Sequence, residues 1–167
     1  ATRKVLVVCH TPPDGDTAGS GLGLRRTLEA LGKEADLFLD GNLPGWMRQQ
    51  AEPGEFKSFE EVQHQDYDLV VVVDVAQAHR IGRARELVSR APNVAVLDHH
   101  DDDPTPESLG TQGKLTKWIA PTDATAMLVA AVSEKLAPSS WEGIAPPLVT
   151  GILTDTQLFQ KPVRGET

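Results

Sequence analysis

The sequence predicts an α/β fold in which a mostly parallel sheet carries helices on both faces. Three observations lead there: short valine-rich apolar runs, helix-period stripes between them, and acidic or histidine residues directly after several of the runs. The runs Val5-Leu6-Val7-Val8-Cys9 and Leu69-Val70-Val71-Val72-Val73 suit strands covered on both sides, and 35–39 and 94–97 read the same way. Leu24, Leu28 and Leu31 share a helical face that stops at Gly32, and Ile81, Ala84, Leu87 and Val88 form a stripe ending before Pro92. Residues 41–66 are irregular, with a short helix expected near 45–51, and 101–116 read as loop. A helix is expected from about Asp123 through Met127, Leu128, Ala131, Val132 and Leu136 to Pro138. The run 148–153 fits either strand or helix, with Pro146 and Pro147 suiting a helix first turn.

With 167 residues, 40% hydrophobic and 24% charged, the chain is one ordinary globular domain by length and composition. It has neither an apolar run approaching the roughly 18 residues of a membrane span nor a secretory leader, so a cytoplasmic protein without a membrane partner is expected. The single cysteine, Cys9, sits in an apolar run and reads as core. A formal net charge of −8 argues against a grip on extended duplex nucleic acid, which needs a basic face. The acid is concentrated, with Asp98, Asp101, Asp102 and Asp103 in one segment and Asp14 and Asp16 in another, and such crowding opposes folding unless cations or solvent relieve it.

The chemistry-bearing residues follow apolar runs: His10, Asp14 and Asp16 after the first, Asp74 after 69–73, Asp98-His99-His100 after 94–97, and Asp155 after 148–153. In an open parallel sheet the carboxyl ends of the strands face one crevice, so ligand-type residues repeated there predict one convergent centre. Carboxylate and imidazole donors without sulfur favour manganese, magnesium or similar ions. Two ions about 3.5–4 Å apart share a hydroxide nucleophile and stabilise both oxygens of an in-line displacement at phosphorus. A bridging carboxylate is needed, and Asp74, alone at the end of the most hydrophobic strand, is the candidate.

The wording of these segments resembles the DHH phosphoesterase superfamily: His10-Thr11-Pro12-Pro13-Asp14-Gly15-Asp16-Thr17-Ala18-Gly19-Ser20-Gly21-Leu22-Gly23-Leu24, then Val73-Asp74-Val75-Ala76, then Asp98-His99-His100, then Gly151-Ile152-Leu153-Thr154-Asp155-Thr156. The match spans essentially the whole chain, with all four motifs in order, and is most similar to the nanoRNase and pAp-phosphatase branch, as are Arg80-Ile81-Gly82 and Trp118-Ile119-Ala120-Pro121 leading to Ala124-Thr125-Ala126. The resemblance implies a Rossmann-like DHH catalytic domain over 1–167. It implies one ion held by His10, Asp14 and Asp74 and a second by Asp16, Asp74, His99 and Asp155, with Mn2+ preferred and Mg2+ or Co2+ possible. Asp98 would orient an imidazole, while His100 would act with Asp74 in catalysis and face the substrate phosphate, which Arg80 would also contact. The implied partner is a short oligonucleotide or a pAp-like nucleotide. Members continue into a DHH-associated domain with a glycine-rich, histidine-bearing motif. No such motif is present, and the twelve residues after Asp155 have no apolar periodicity, so this chain is expected to be the N-terminal part of a longer one.

Gly19, Gly21 and Gly23 ahead of Asp40 mimic a dinucleotide fingerprint, but the spacing fails and ten residues separate them from Cys9. The arginines Arg83, Arg85 and Arg90 read as a solvated helix face, His64 and His79 as surface, and Trp46, Trp118 and Trp141 as core or rim packing. Rival activities are a cyclic-dinucleotide phosphodiesterase, a RecJ-like exonuclease and an inorganic pyrophosphatase. A metal-bound nucleotide sensor is the non-enzyme alternative, and an oligomer is compatible with the sequence.

Overall fold

The computed structural model describes residues 2–161. Strands β1 (Lys4–Val8), β2 (Glu34–Phe38), β3 (Phe56–Lys57), β4 (Leu69–Val73), β5 (Asn93–Asp98) and β6 (Lys114–Ile119) form one sheet in the order β3-β2-β1-β4-β5-β6, every neighbouring pair parallel. The helices are α1 (Gly15–Ala30), α2 (Gly45–Arg48), α3 (Phe59–Val62), α4 (Ala84–Arg90), α5 (Pro106–Leu109), α6 (Thr125–Leu136) and α7 (Trp141–Asp155). The order reverses between β1 and β4, which opens the crevice where such sheets bind their ligands.

Period-two alternation divides the apolar side chains between two cores. Leu6, Val8, Val70, Val72, Val94 and Val96 pack with Ile81, Leu87, Val88 and Leu109 on one side. Val5, Val7, Val71 and Val73 pack with Leu22, Leu24, Val129, Ile144 and Leu148 on the other. Helices cover both faces, as predicted.

Several segments differ from their expected form. The run 148–153 lies inside α7, so Asp155 ends a helix, whereas the other ligand-type residues follow strands. The stretch 101–116 contains α5 and the start of β6, and 41–66 contains α2, β3 and α3. Thr125 begins the helix expected near Asp123, and its Met127 and Leu136 are 39% and 51% exposed. Trp46, Trp118 and Trp141 remain 39–47% exposed and are not core residues.

Pro146 and Pro147 occur well inside α7 rather than in its first turn. A proline deprives the carbonyl four residues earlier of its helical donor. For Pro147 that carbonyl belongs to Gly143, and it accepts instead from Arg26 Nη1 at 2.7 Å.

The α1 glycines bring two helices close. A Cβ on Gly15 would lie 2.1 Å from Thr154 Oγ1, one on Gly19 2.3 Å from the Pro147 carbonyl oxygen, and one on Gly23 2.4 Å from Leu148 Cδ2. Gly21 faces the sheet, against Cys9 and Leu37. These glycines serve packing rather than a dinucleotide. Gly19→Ala should lose about 1–3 kcal/mol because the obstacle is backbone, outweighing a helix-propensity gain of about 1 kcal/mol. Gly143→Ala, where a Cβ meets nothing within 4 Å, should keep that gain. Thermal melts of the two variants should therefore move in opposite directions.

Candidate metal centre

Three strand ends and one helix end deliver the site. After β1, the His10 amide donates to Thr17 Oγ1 at 3.1 Å, and that hydroxyl reaches back to the Val73 carbonyl at 3.4 Å, tying the loop to β4. Asp14 is the N-cap of α1 and accepts from the Thr17 amide at 3.0 Å, which places Asp16 in the first turn. Asp74 follows β4 in the left-handed region at φ 64°, with its amide donating to Leu97 at 2.8 Å. Aspartate tolerates that conformation better than most residues, at a cost of about 1–2 kcal/mol. Asp98 closes β5 and is followed by His99 and His100.

The two oxygens of Asp74 face different neighbours. Oδ2 is 3.3 Å from His10 Nε2, which is also 3.4 Å from Asp14 Oδ2. Oδ1 is 3.5 Å from His99 Nε2, which is 3.6 Å from Asp155 Oδ2 and 3.9 Å from Asp16 Oδ2. Among the described residues three groups have donor atoms close enough to hold a metal ion: His10, Asp14 and Asp74; Asp16, His99 and Asp155; and Asp74, His99 and His100. Every ligand the sequence singled out falls in these groups. His100, expected to face substrate, is geometrically able to ligate as well.

The surroundings suit cations. His10, Asp16 and Asp74 are each 2% exposed, and neither aspartate has an ion pair with lysine or arginine among the described residues. Burial, then the Asp74 carboxylate alongside, pushes the Asp16 carboxyl well above the usual carboxylate range, against the pull of the Ala126 and Thr125 amides. Burial pulls the His10 imidazole down, but hydrogen bonds to Asp14 and Asp74 outweigh it and raise it to about 9. His10 Nδ1 is buried and finds no hydrogen-bond partner among the described residues. Oxygen and imidazole donors aimed at shared space, without sulfur, fit hard or borderline divalent ions.

Further contacts hold the donors in place. The Thr122 carbonyl, 3.0 Å from His99 Nδ1, can only accept, so Nδ1 carries a proton and Nε2 offers its lone pair to the centre. Asp98 Oδ1 meets His100 Nδ1 at 2.6 Å and its amide at 3.2 Å. Burial alone would raise the Asp98 carboxyl, yet these bonds keep it below the usual range, and Asp98 in turn raises the His100 imidazole. His100 is the open side of the cluster, its side chain 42% exposed. Arg80 is half-buried beside it; its carbonyl accepts from the Thr11 amide at 2.7 Å, and its charge opposes protonation of His100. Thr17, Thr122 and Thr125 were not predicted as site residues. Thr125 was visible only as part of Ala124-Thr125-Ala126.

A doubly wound parallel sheet with a carboxylate and imidazole cluster at its switch point places this chain among the α/β domains that bind their ligands in that crevice. The family model for the DHH family, N-terminal domain, matches residues 4–152, and the chain belongs to the DHH family. It is 32% identical over 156 residues to a bifunctional oligoribonuclease and PAP phosphatase, NrnA, of Thermus thermophilus, covering 93% of this chain and 44% of that protein. A protein of the same name from Mycoplasma pneumoniae is 30% identical over 167 residues, with 95% and 48% covered. The chain thus spans about half the length of the curated relatives it matches. The crystal structure of an exopolyphosphatase-related protein from Bacteroides fragilis superposes with a TM-score of 0.79 at 22% identity, over 95% of this chain and 48% of that one, and shares the fold.

Proposed function

We propose that this chain is the catalytic domain of a metal-dependent phosphoesterase that hydrolyses short oligonucleotides or pAp-like nucleotides. The observation that carries the reading is the divided Asp74 carboxylate, one oxygen toward His10 and Asp14 and the other toward His99, which itself faces Asp16 and Asp155. Family membership and the named activities of the Thermus and Mycoplasma relatives support phosphoester chemistry and the substrate class.

In this reading His10, Asp14 and Asp74 hold one divalent ion, and Asp16, Asp74, His99 and Asp155 the other, with Mn2+ the preferred metal. When bound, the pair supplies an acidified water and positive charge for the phosphoryl oxygens. The chain's own residues do the rest. Thr122 keeps His99 in the tautomer that can ligate. Asp98 occupies His100 Nδ1 and steadies the ring, leaving Nε2 to donate to the substrate phosphate or to the departing oxygen. Arg80 adds a fixed positive charge on the same side. A cytoplasmic setting accords with this substrate class; among the described residues no helix is long and apolar enough to cross a membrane.

The test is Mn2+-dependent hydrolysis of a dinucleotide and of pAp by the full chain, beside His100→Ala. That variant should bind Mn2+ like the parent and lose roughly 10²–10⁴-fold in turnover. Loss of Mn2+ binding in His100→Ala would reassign the residue as a ligand, and absence of any Mn2+-dependent hydrolysis by the parent would overturn the reading.

A further inference from the structure

We propose that Thr125 is a positioning residue of this centre, and that the first turn of α6 is the strut fixing the Asp74 and Asp16 carboxylates relative to each other; the inference rests on the phosphoesterase reading above. Three donors carry it. The Thr125 hydroxyl donates to Asp74 Oδ1 at 2.9 Å. The Thr125 amide donates to Asp16 Oδ2 at 2.7 Å, and the Ala126 amide to Asp16 Oδ1 at 2.9 Å. One helical turn therefore grips both carboxylates, Asp16 of α1 through two backbone amides and Asp74 after β4 through a hydroxyl.

The turn has no other use for these amides. Ala124, the N-cap of α6, has no side chain that could accept from them, so Asp16, more than a hundred residues earlier, satisfies the helix end. In exchange, Asp16 is oriented and its negative charge lies at the positive end of a twelve-residue helix. Ser20 Oγ adds a further bond to Asp16 Oδ1 at 3.3 Å.

The hydroxyl matters for a separate reason. Oδ1 of Asp74 faces His99 Nε2, and rotation of the carboxylate would turn that oxygen away. The backbone of Asp74 is fixed by the hydrogen bond its amide donates to the Leu97 carbonyl, which leaves the side-chain torsions as the free variables. Thr125 Oγ1 restrains them from the Oδ1 side, as His10 does from the Oδ2 side, and the residue is fully buried away from solvent. Groups that orient metal ligands in this way typically change metal affinity or activity by about 10–100-fold when removed.

The experiment compares Mn2+ affinity in the full chain, stripped of metal and titrated while free Mn2+ is followed by electron paramagnetic resonance, for the parent, Thr125→Ser, Thr125→Val and Thr125→Ala. Valine keeps the shape without the hydroxyl, and serine keeps the hydroxyl without the methyl. Thr125→Val should weaken Mn2+ binding by about 10–100-fold, with Thr125→Ser close to the parent. Thr125→Ala supplies the same comparison should valine prevent folding, as judged by metal-free thermal melts. Parental affinity in the valine and alanine variants, or equal weakening in the serine variant, would overturn the assignment, the latter by showing that packing is what matters. If the parent itself binds no Mn2+, the phosphoesterase reading fails first and this one falls with it.

Discussion

Asp74→Ala is expected to lower Mn2+-dependent hydrolysis by roughly a thousandfold or more, the equivalent of about 4 kcal/mol of transition-state stabilisation. Among the described residues no other side chain divides its oxygens between the His10 and His99 halves of the cluster. The variant should still fold. Its cost is an alanine forced to φ 64°, about 1–2 kcal/mol, offset by removal of one of two neighbouring buried carboxylates. Asp74→Asn separates the two effects, since asparagine accepts the left-handed conformation: it should melt close to the parent and still lose turnover. Parallel melting curves, Mn2+ titrations and dinucleotide turnover check this, and unchanged turnover in either variant would show that Asp74 is not the shared ligand.

Glu55→Ala should produce a large loss of stability, about 3–5 kcal/mol, or about 10 °C in melting temperature for a chain of this size. Glu55 Oε1 accepts from Arg25 Nη1 at 2.8 Å and Arg26 Nε at 2.9 Å, while Oε2 accepts from Arg26 Nη2 at 2.8 Å and the Glu52 amide at 2.7 Å. All three charged groups are largely buried, so truncation takes from Arg26 its carboxylate partner and from Arg25 one of two, the other being Glu29 at 2.7 Å. Burial pushes the Glu55 carboxyl up, but Arg26, the Glu52 amide and Arg25 outweigh it and hold it below the usual glutamate range. A depressed carboxyl stabilises the fold above its unfolded value near 4.3 and loses that contribution as pH falls through the folded value. The melting gap between parent and variant should therefore be full at neutral pH and shrink below about pH 4. A gap independent of pH would mean that lost packing, rather than charge, is responsible.

What was legible in the sequence was set by burial. β1, β4 and β5 lie inside the sheet, so their runs are continuous and the residues after them mark the crevice. β6 is one of the two edge strands, with a largely exposed face, and its Lys114-Leu115-Thr116-Lys117-Trp118-Ile119 pattern carries no apolar run to find. α7 was ambiguous because two prolines interrupt it, and the helix tolerates Pro147 because Arg26, 117 residues before Gly143, bonds the Gly143 carbonyl that Pro147 leaves without a donor. The ligand residues were visible as types at spacings. Their supports, the Thr122 carbonyl and the first turn of α6, were not, because a carbonyl or an amide leaves no trace in composition and becomes functional only through the chain crossing that brings it there.

The glycine seam between α1 and α7 has a consequence for the centre itself. Asp14 and Asp16 ride on the leading end of one helix and Asp155 on the trailing end of the other, so in the proposed two-ion site the separation of the two rods would act as a caliper for the ligand spacing. Gly15, the glycine nearest those ligands, lies against Thr154, directly before Asp155. On that reading, a side chain that wedges the rods apart would change the fit of the ions, so the ionic radius accepted and the closeness of the helical seam would be set by the same few atoms.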